Sequence, residues 1–181
     1  MKRLFLLILV MGAFYNVLAQ TKNEWWLNWD ELTRDSAYLA PNSMITKKWY
    51  KVKKLKTDSD ESYTFNANGT FIHELEYNME VPLKATTKGT WKRNKQFLTI
   101  IFNYETSVIT PDKEKYSALS LRRQDDLKTI LNETVHKMRK WGTKTFSYQM
   151  LRLNNDVLIL ADKVSISGTM HFVTQEGTYL K

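Results

Sequence analysis

Residues 63–72 read YTFNANGTFI, and residues 88–92 read KGTWK. In the first stretch an Asn-Gly pair lies between two runs in which apolar and polar residues alternate, which is the strongest short-range signal of a β-hairpin. The second stretch is typical of a strand that begins the next hairpin. Together they predict an antiparallel meander, and a meander of this size usually closes into a barrel with an interior.

The length of the first loop decides which side chains share a face. A two-residue turn would place Phe65 and Phe71 on opposite faces, whereas a three-residue loop with Gly69 in the left-handed conformation pairs Phe65 with Phe71 and Tyr63 with His73. We expect the three-residue loop, because it collects the aromatic side chains on one wall. The inward set is then Tyr63, Phe65, Phe71, His73, Leu75 and Tyr77, and the outward set is Ser62, Thr64, Thr70, Glu74 and Glu76.

Other segments supply the remaining strands. Residues 45–56 predict a first strand, in which a switch of the apolar parity indicates a bulge. A second hairpin joins residues 87–92 to 97–102 through a turn at 93–96, a third joins 146–151 to 157–160, and residues 169–180 form a closing strand. Gly89 lies inside a strand, which indicates a bend or a close approach of another backbone and leaves space beside the Trp91 ring. The predicted fold is all-β, an antiparallel up-and-down barrel of about eight strands.

One segment interrupts the meander with a helical pattern. Residues 123–141 carry an apolar stripe, acidic residues near the start, basic residues near the end and a glycine just beyond it. The stripe consists of Leu127, Ile130, Leu131, Val135, Met138 and Trp141. Residues from about 105 to 143 are therefore predicted to be a helical insertion in the barrel. An insertion of this length serves either as a lid or partner surface, or as a simple cover of the barrel wall.

The N-terminus predicts export. Residues 2–3 are basic, residues 4–10 are apolar, and residues 17–19 read VLA, so residues 1–19 are interpreted as a secretory signal peptide. The alternative is an uncleaved anchor, for which the apolar run is short. The chain has no cysteine, so neither a lipoprotein anchor nor a disulfide is expected. We expect a soluble periplasmic or extracellular protein that is not an integral membrane protein after cleavage.

The mature chain divides into two parts. Residues 20–42 form an N-terminal segment with a short Trp-rich amphipathic helix, which either plugs the open end of the barrel or presents an aromatic platform. Residues 43–181 form the barrel domain. The net charge of +8 comes from scattered basic pairs, which favours plain solubility or an anionic envelope partner. Nucleic acid is not an expected partner of an exported protein.

Several short motifs resemble the lipocalin-like domains of small exported bacterial proteins. They are the F-N-x-N-G-T-F hairpin, the G-T-W strand, the L-T-I strand that follows it, and the spacing of Tyr148, Leu153, Leu158 and Leu160. The resemblance covers about residues 47–102 and 145–181. It implies a lipocalin-like barrel, but true lipocalins carry G-x-W on their first strand, whereas this motif lies mid-barrel here, so their ligand rules do not transfer. It assigns no functional residues, because the function of most members of that family is unknown.

The sequence contains no phosphate loop, nucleophile elbow or Cys/His pair, so we expect neither enzymatic activity nor a metal or cofactor. His73 is the only histidine that the register points inward, where it could bond to a ligand or to a neighbouring tyrosine. The first functional hypothesis is a binding module for a small apolar or amphipathic ligand. Its lumen would be lined by Tyr63, Phe65, Phe71, His73, Trp91, Ile100 and Tyr148. The alternative is a solid-core cell-envelope interaction protein that uses the inserted helix and the basic surface.

Overall fold

The computed structural model describes residues 40–53, 59–162 and 169–175. The predicted signal peptide and Trp-rich helix lie outside these residues. Eight strands, each antiparallel to the next, form a closed barrel in sequential order, and the last pairs with the first. They are β1 (Lys48–Lys51), β2 (Asp60–Phe65), β3 (Thr70–Tyr77), β4 (Leu83–Asn94), β5 (Phe97–Pro111), β6 (Thr143–Leu153), β7 (Val157–Asp162) and β8 (Thr169–Val173). The predicted all-β up-and-down barrel is confirmed.

The β2–β3 hairpin has the predicted three-residue loop. Phe65 pairs with Phe71 and Tyr63 pairs with His73. The Asn66 amide donates to the Thr70 carbonyl over 2.9 Å and closes the loop, and Gly69 has φ +80°. Glycine adopts that left-handed conformation without steric cost, which is why the chain turns here.

The β4–β5 hairpin is longer than predicted. Asn94 pairs with Phe97, so the turn contains two residues, and the first of them, Lys95, has φ 54°. The strands also extend well beyond residues 87 and 102, with a register shift between Thr86 and Lys88. The insertion therefore begins at Asp112 and not near residue 105. The parts of β4 and β5 that the sequence interpretation missed are rich in polar residues and interrupted by a bulge. The alternation of inward and outward residues is therefore hidden in the sequence.

The insertion contains two helices, α1 (Lys113–Ser117) and α2 (Leu121–Arg139). The Asp112 carboxylate caps α1 by accepting from the Lys115 amide over 2.9 Å. The predicted long helix is present and lies two residues earlier than expected. Leu131 and Met138 are its buried residues, and the rest of the predicted stripe is half-buried. Helix α2 packs against β5. In the described part of the chain, no helix combines the length and apolarity that a membrane crossing requires.

One end of the barrel is sealed by apolar side chains. The turns at residues 66–69, 95–96 and 154–156 lie at this closed end, together with a 3-10 turn at Asn42–Met44. Ile45 and Trp49 are fully buried there, and the Trp49 indole donates to the Ile45 carbonyl over 2.9 Å. Burial of each such side chain contributes about 1.5–3 kcal/mol.

Gly89 allows two groups to approach the β4 backbone closely. A Cβ atom at this position would collide with the Phe71 ring and with the Ile101 carbonyl. The close approach predicted for Gly89 is present. The ring that occupies the space belongs to Phe71 on the neighbouring strand, whereas the sequence suggested that of Trp91.

Candidate functional site

The opposite end of the barrel carries polar side chains on its inner wall. It is formed by the last residues of β1, β3, β5 and β7 and the first residues of β2, β4, β6 and β8. Glu61, near the start of β2, shares the inward alternation of Tyr63 and Phe65, and its side chain is only 18% exposed. We call this region the Glu61 end.

The Glu61 carboxylate accepts hydrogen bonds from its own strand and from the two strands beside it. Lys51 of β1 donates from Nζ to Oε2 over 2.7 Å, and Tyr63 of β2 donates from its hydroxyl to Oε1 over 2.9 Å. His73 of β3 places Nε2 3.1 Å from Oε1. Such contacts favour the ionised carboxylate, because charge-assisted hydrogen bonds offset the loss of water around it.

The protonation states follow from this arrangement. Burial alone would raise the pKa of Glu61, but the Lys51 ammonium and His73 outweigh burial and hold that pKa well below its usual range. Burial, followed by the charge of Glu61, raises the pKa of Tyr63, Tyr77 and Tyr104 above the usual value for a phenol. At neutral pH the Glu61 end therefore holds one carboxylate surrounded by neutral tyrosines.

Tyr77 has an unsatisfied hydroxyl. It is the last residue of β3 and shares the inward face of Phe71, His73 and Leu75. Its hydroxyl oxygen is buried and bonds to no partner among the described residues. Buried hydroxyls are normally paired, so this group is available to a hydrogen-bond acceptor that reaches the inner wall.

Aromatic rings form the rim of the Glu61 end. Phe146 pairs with Ile100 and therefore faces inward, yet it is 40% exposed. Its ring meets that of Phe102 edge-on at 5.5 Å, and Phe102 stacks on Tyr104 at 5.7 Å. Trp141, just beyond α2, contacts Tyr104 edge-on at 5.1 Å. An inward side chain that remains exposed indicates that the barrel is open at this point, beside the end of α2.

The structure places all seven predicted lumen residues on the inner wall. Five of them belong to the buried core: Tyr63, Phe65, Phe71, Trp91 and Ile100. Tyr148 is half-buried and packs against that core, and His73 is half-buried on β3. Of the seven, Tyr63 and His73 contact Glu61 directly. Ligand binding by these residues stays a prediction.

The sequence interpretation missed Glu61, Lys51, Tyr77 and Phe146 as members of one site. The signal for Glu61 was available, because it precedes Tyr63 by two residues and must share its face. Lys51 likewise follows the fully buried Trp49 by two residues on β1.

The outward carboxylates form a different arrangement. Glu74 pairs with Lys48 at 2.9 Å and with Lys84 at 2.7 Å across the outer face of β1, β3 and β4. A pocket on this outer side is lined by Lys48, Tyr50, Asp60, Glu61, Ser62 and Glu76. Its volume of about 10 Å³ has room for one water molecule. Nowhere in the described ranges do three His, Asp or Glu side chains converge as a metal site would require.

No protein-family model matches this chain, and no curated protein matches it either. The barrel and the side chains of the Glu61 end therefore carry the functional argument alone.

Proposed function

We propose that the protein is an exported, lipocalin-like binding module that takes a small apolar or amphipathic ligand through the Glu61 end of its barrel. Export rests on the predicted signal peptide at residues 1–19, and the lipocalin-like character rests on the sequence resemblance and the closed eight-stranded barrel. The single observation that carries the binding proposal is Phe146, an inward aromatic side chain that is 40% exposed.

The two ends of the barrel differ in their side chains, and this difference supports a single entrance for the ligand, at the Glu61 end. The closed end is filled with apolar side chains, whereas the Glu61 end combines a partly open aromatic wall with a few convergent polar groups. Ligand sites in proteins are mostly apolar and use a small number of placed polar groups to orient the ligand. Eight-stranded barrels leave room for at most one small ligand.

Helix α2 is placed to influence access to this entrance. The Arg139 guanidinium donates to the Ser107 carbonyl over 3.2 Å, and Trp141 contacts Tyr104 at the rim. We therefore favour a lid role for the insertion over that of a simple cover. In this proposal the ligand displaces the Trp141 ring when it enters.

A neutral apolar fluorophore, N-phenyl-1-naphthylamine, tests the proposal. The wild-type chain should bind the fluorophore with an increase in emission, and Phe146→Asp should weaken binding at least about tenfold, because it places a charge on the apolar wall. Thr145→Asp is the matched control, since Thr145 is the preceding residue on β6 and faces outward. Equal binding by both variants, with circular dichroism showing an intact sheet, would contradict an entrance at Phe146.

One observation favours the alternative interaction protein. Leu121, the first residue of α2, is 79% exposed, and the next two residues are Arg122 and Arg123. Arg123 is already paired with Glu80 at 2.8 Å, so the exposed Leu121 beside Arg122 is what suits an acidic, amphipathic partner surface. Leu121→Ser should then reduce recovery of a partner from an envelope extract without any effect on fluorophore binding. Unchanged recovery would remove the only support for this second candidate.

A further inference from the structure

We infer that the ligand of the Glu61 end is an uncharged, flat amphiphile whose carbonyl or hydroxyl oxygen accepts a hydrogen bond from the Tyr77 hydroxyl. This inference rests on the proposed binding function and specifies the class of ligand.

The first argument is the unsatisfied hydroxyl of Tyr77. It is buried on the inner wall and bonds to no described residue. The Glu61 carboxylate accepts from Lys51, Tyr63 and His73 and not from Tyr77, so it does not satisfy this hydroxyl. A ligand oxygen beside Tyr77 would supply the missing partner, and a buried polar group gains most from a partner when water cannot reach it.

The second argument is charge balance. On the inner wall Lys51 pairs with Glu61 at 2.7 Å. An ionised ligand group at the inner wall would have to displace one of these partners and leave a charge without compensation, which is strongly unfavourable in a partly buried site. Arg139 near the rim is exposed to water and bonded to a backbone carbonyl, so it offers little to an anion inside the barrel.

The third argument is the shape of the apolar wall. The rings of Phe102 and Tyr104 stack nearly parallel, with 12° between their planes, and the Phe146 ring stands edge-on to Phe102. Phe102 itself is buried, so the exposed Phe146 ring is the surface that a flat ring system can meet through offset stacking and edge contacts. In this inference the flat apolar body lies against Phe146 and its oxygen is directed into the barrel toward Tyr77.

Three naphthalene derivatives with similar apolar bodies separate these features. 2-Acetylnaphthalene carries a neutral carbonyl, 2-ethylnaphthalene has the same shape without the oxygen, and 2-naphthoate is ionised at neutral pH. Isothermal titration calorimetry with the full mature chain should give a dissociation constant for 2-acetylnaphthalene about fivefold lower than for 2-ethylnaphthalene, the effect of one ordinary hydrogen bond. 2-Naphthoate should bind most weakly.

Tyr77→Phe tests the assigned donor. This variant keeps the ring and removes the hydroxyl, so it should abolish the preference for 2-acetylnaphthalene and leave the binding of 2-ethylnaphthalene unchanged. Tyr50→Phe is the control, because Tyr50 lies on β1 next to the inward-facing Trp49 and faces outward. Tyr77→Phe should also be at least as stable as the wild type, since it removes an unpaired buried group. A clear loss of stability would show that the hydroxyl is already satisfied and would overturn the inference.

The outcomes separate the two levels of the proposal. If none of the three compounds binds, the binding function itself is wrong. If all three bind and 2-naphthoate is the tightest, or if Tyr77→Phe leaves the carbonyl preference intact, the binding function stands and the uncharged acceptor is wrong.

Discussion

Replacement of Gly89 by alanine should destabilise the barrel by about 3 kcal/mol, because the added methyl group has no space. The Cβ atom would overlap the ring of Phe71, which is fully buried, and the backbone carbonyl of Ile101 on β5. The ring could shift only into a packed core, and the carbonyl belongs to the paired β4–β5 ladder. Both partners therefore resist the movement that would relieve the collision.

The expected loss of about 3 kcal/mol follows from the atoms that the added methyl group would meet. An extra methyl group in a packed core typically costs about 1–3 kcal/mol, and we place Gly89→Ala at the upper limit because one of its neighbours is backbone. For a domain of this size, each 1 kcal/mol lowers the melting temperature by about 2–4 °C, so the expected decrease is about 10 °C. Phe71→Leu in the same chain should relieve the collision with the ring and leave the collision with the carbonyl.

Thermal and urea unfolding followed by circular dichroism would measure these effects. Gly142→Ala is the informative control, because Gly142 has φ +61° and no atom lies near the position of an added Cβ. That variant should lose only about 1 kcal/mol, the cost of a left-handed alanine. The double variant Gly89→Ala/Phe71→Leu should be less destabilised than the sum of the two single variants, since the two sites are in contact. If Gly89→Ala is no worse than Gly142→Ala, the described packing around Phe71 is wrong.

Three further predictions concern other parts of the molecule. Glu61→Gln should destabilise the protein by about 2 kcal/mol at pH 7, between the values for exposed and buried pairs. Because folding lowers the pKa of Glu61, the stabilisation from its carboxylate is complete above the unfolded-state pKa of about 4.3 and declines as the pH falls below that value. Urea titrations at pH 7 and pH 3 should therefore show that the stability difference between Glu61→Gln and the wild type becomes smaller in acid. A difference that stays constant would argue against an ionised Glu61. Met138→Ala should lower the free energy of unfolding by about 2–4 kcal/mol, because it leaves a cavity under α2. Leu121→Ala, at the exposed start of the same helix, should change that free energy by less than about 0.5 kcal/mol. Equal effects would show that the helix does not pack as described. Thr87→Val should lower the free energy of unfolding by about 1–3 kcal/mol, because it leaves the buried Ser107 hydroxyl without its partner at 2.9 Å. Ser107→Ala in the same chain should recover part of that loss. If nothing is recovered, the two hydroxyls are not coupled.

Much of the fold could be predicted because its signals are local. The loop at Gly69 depends on the conformational freedom of one glycine, and the pairing of Phe65 with Phe71 follows from the length of that loop. The stripe of α2 likewise depends on spacing within a single segment. The β4–β5 extension was missed, because a bulge near Thr87 shifts the register and polar residues replace the apolar alternation.

The candidate site was predictable only in part. The inward direction of Tyr63 and His73 follows from the hairpin register, but the ion pair between Lys51 and Glu61 depends on the register between β1 and β2, which no short turn fixes. The exposure of Phe146 could not be read from its strand, because it depends on where the neighbouring strands and α2 end.

The sequence alone determined the backbone preferences of the hairpins, the alternation that divides wall from surface, and the position of the long helix. Each of these rests on dihedral preferences and on side-chain periods within a few residues of chain. The tertiary structure alone decided that Phe71 fills the space beside Gly89, that three strands direct donors to Glu61, and that Tyr77 is buried without a partner. The physical reason is that these features depend on how side chains of different strands pack together, and the distances between them become defined only when the strands pair.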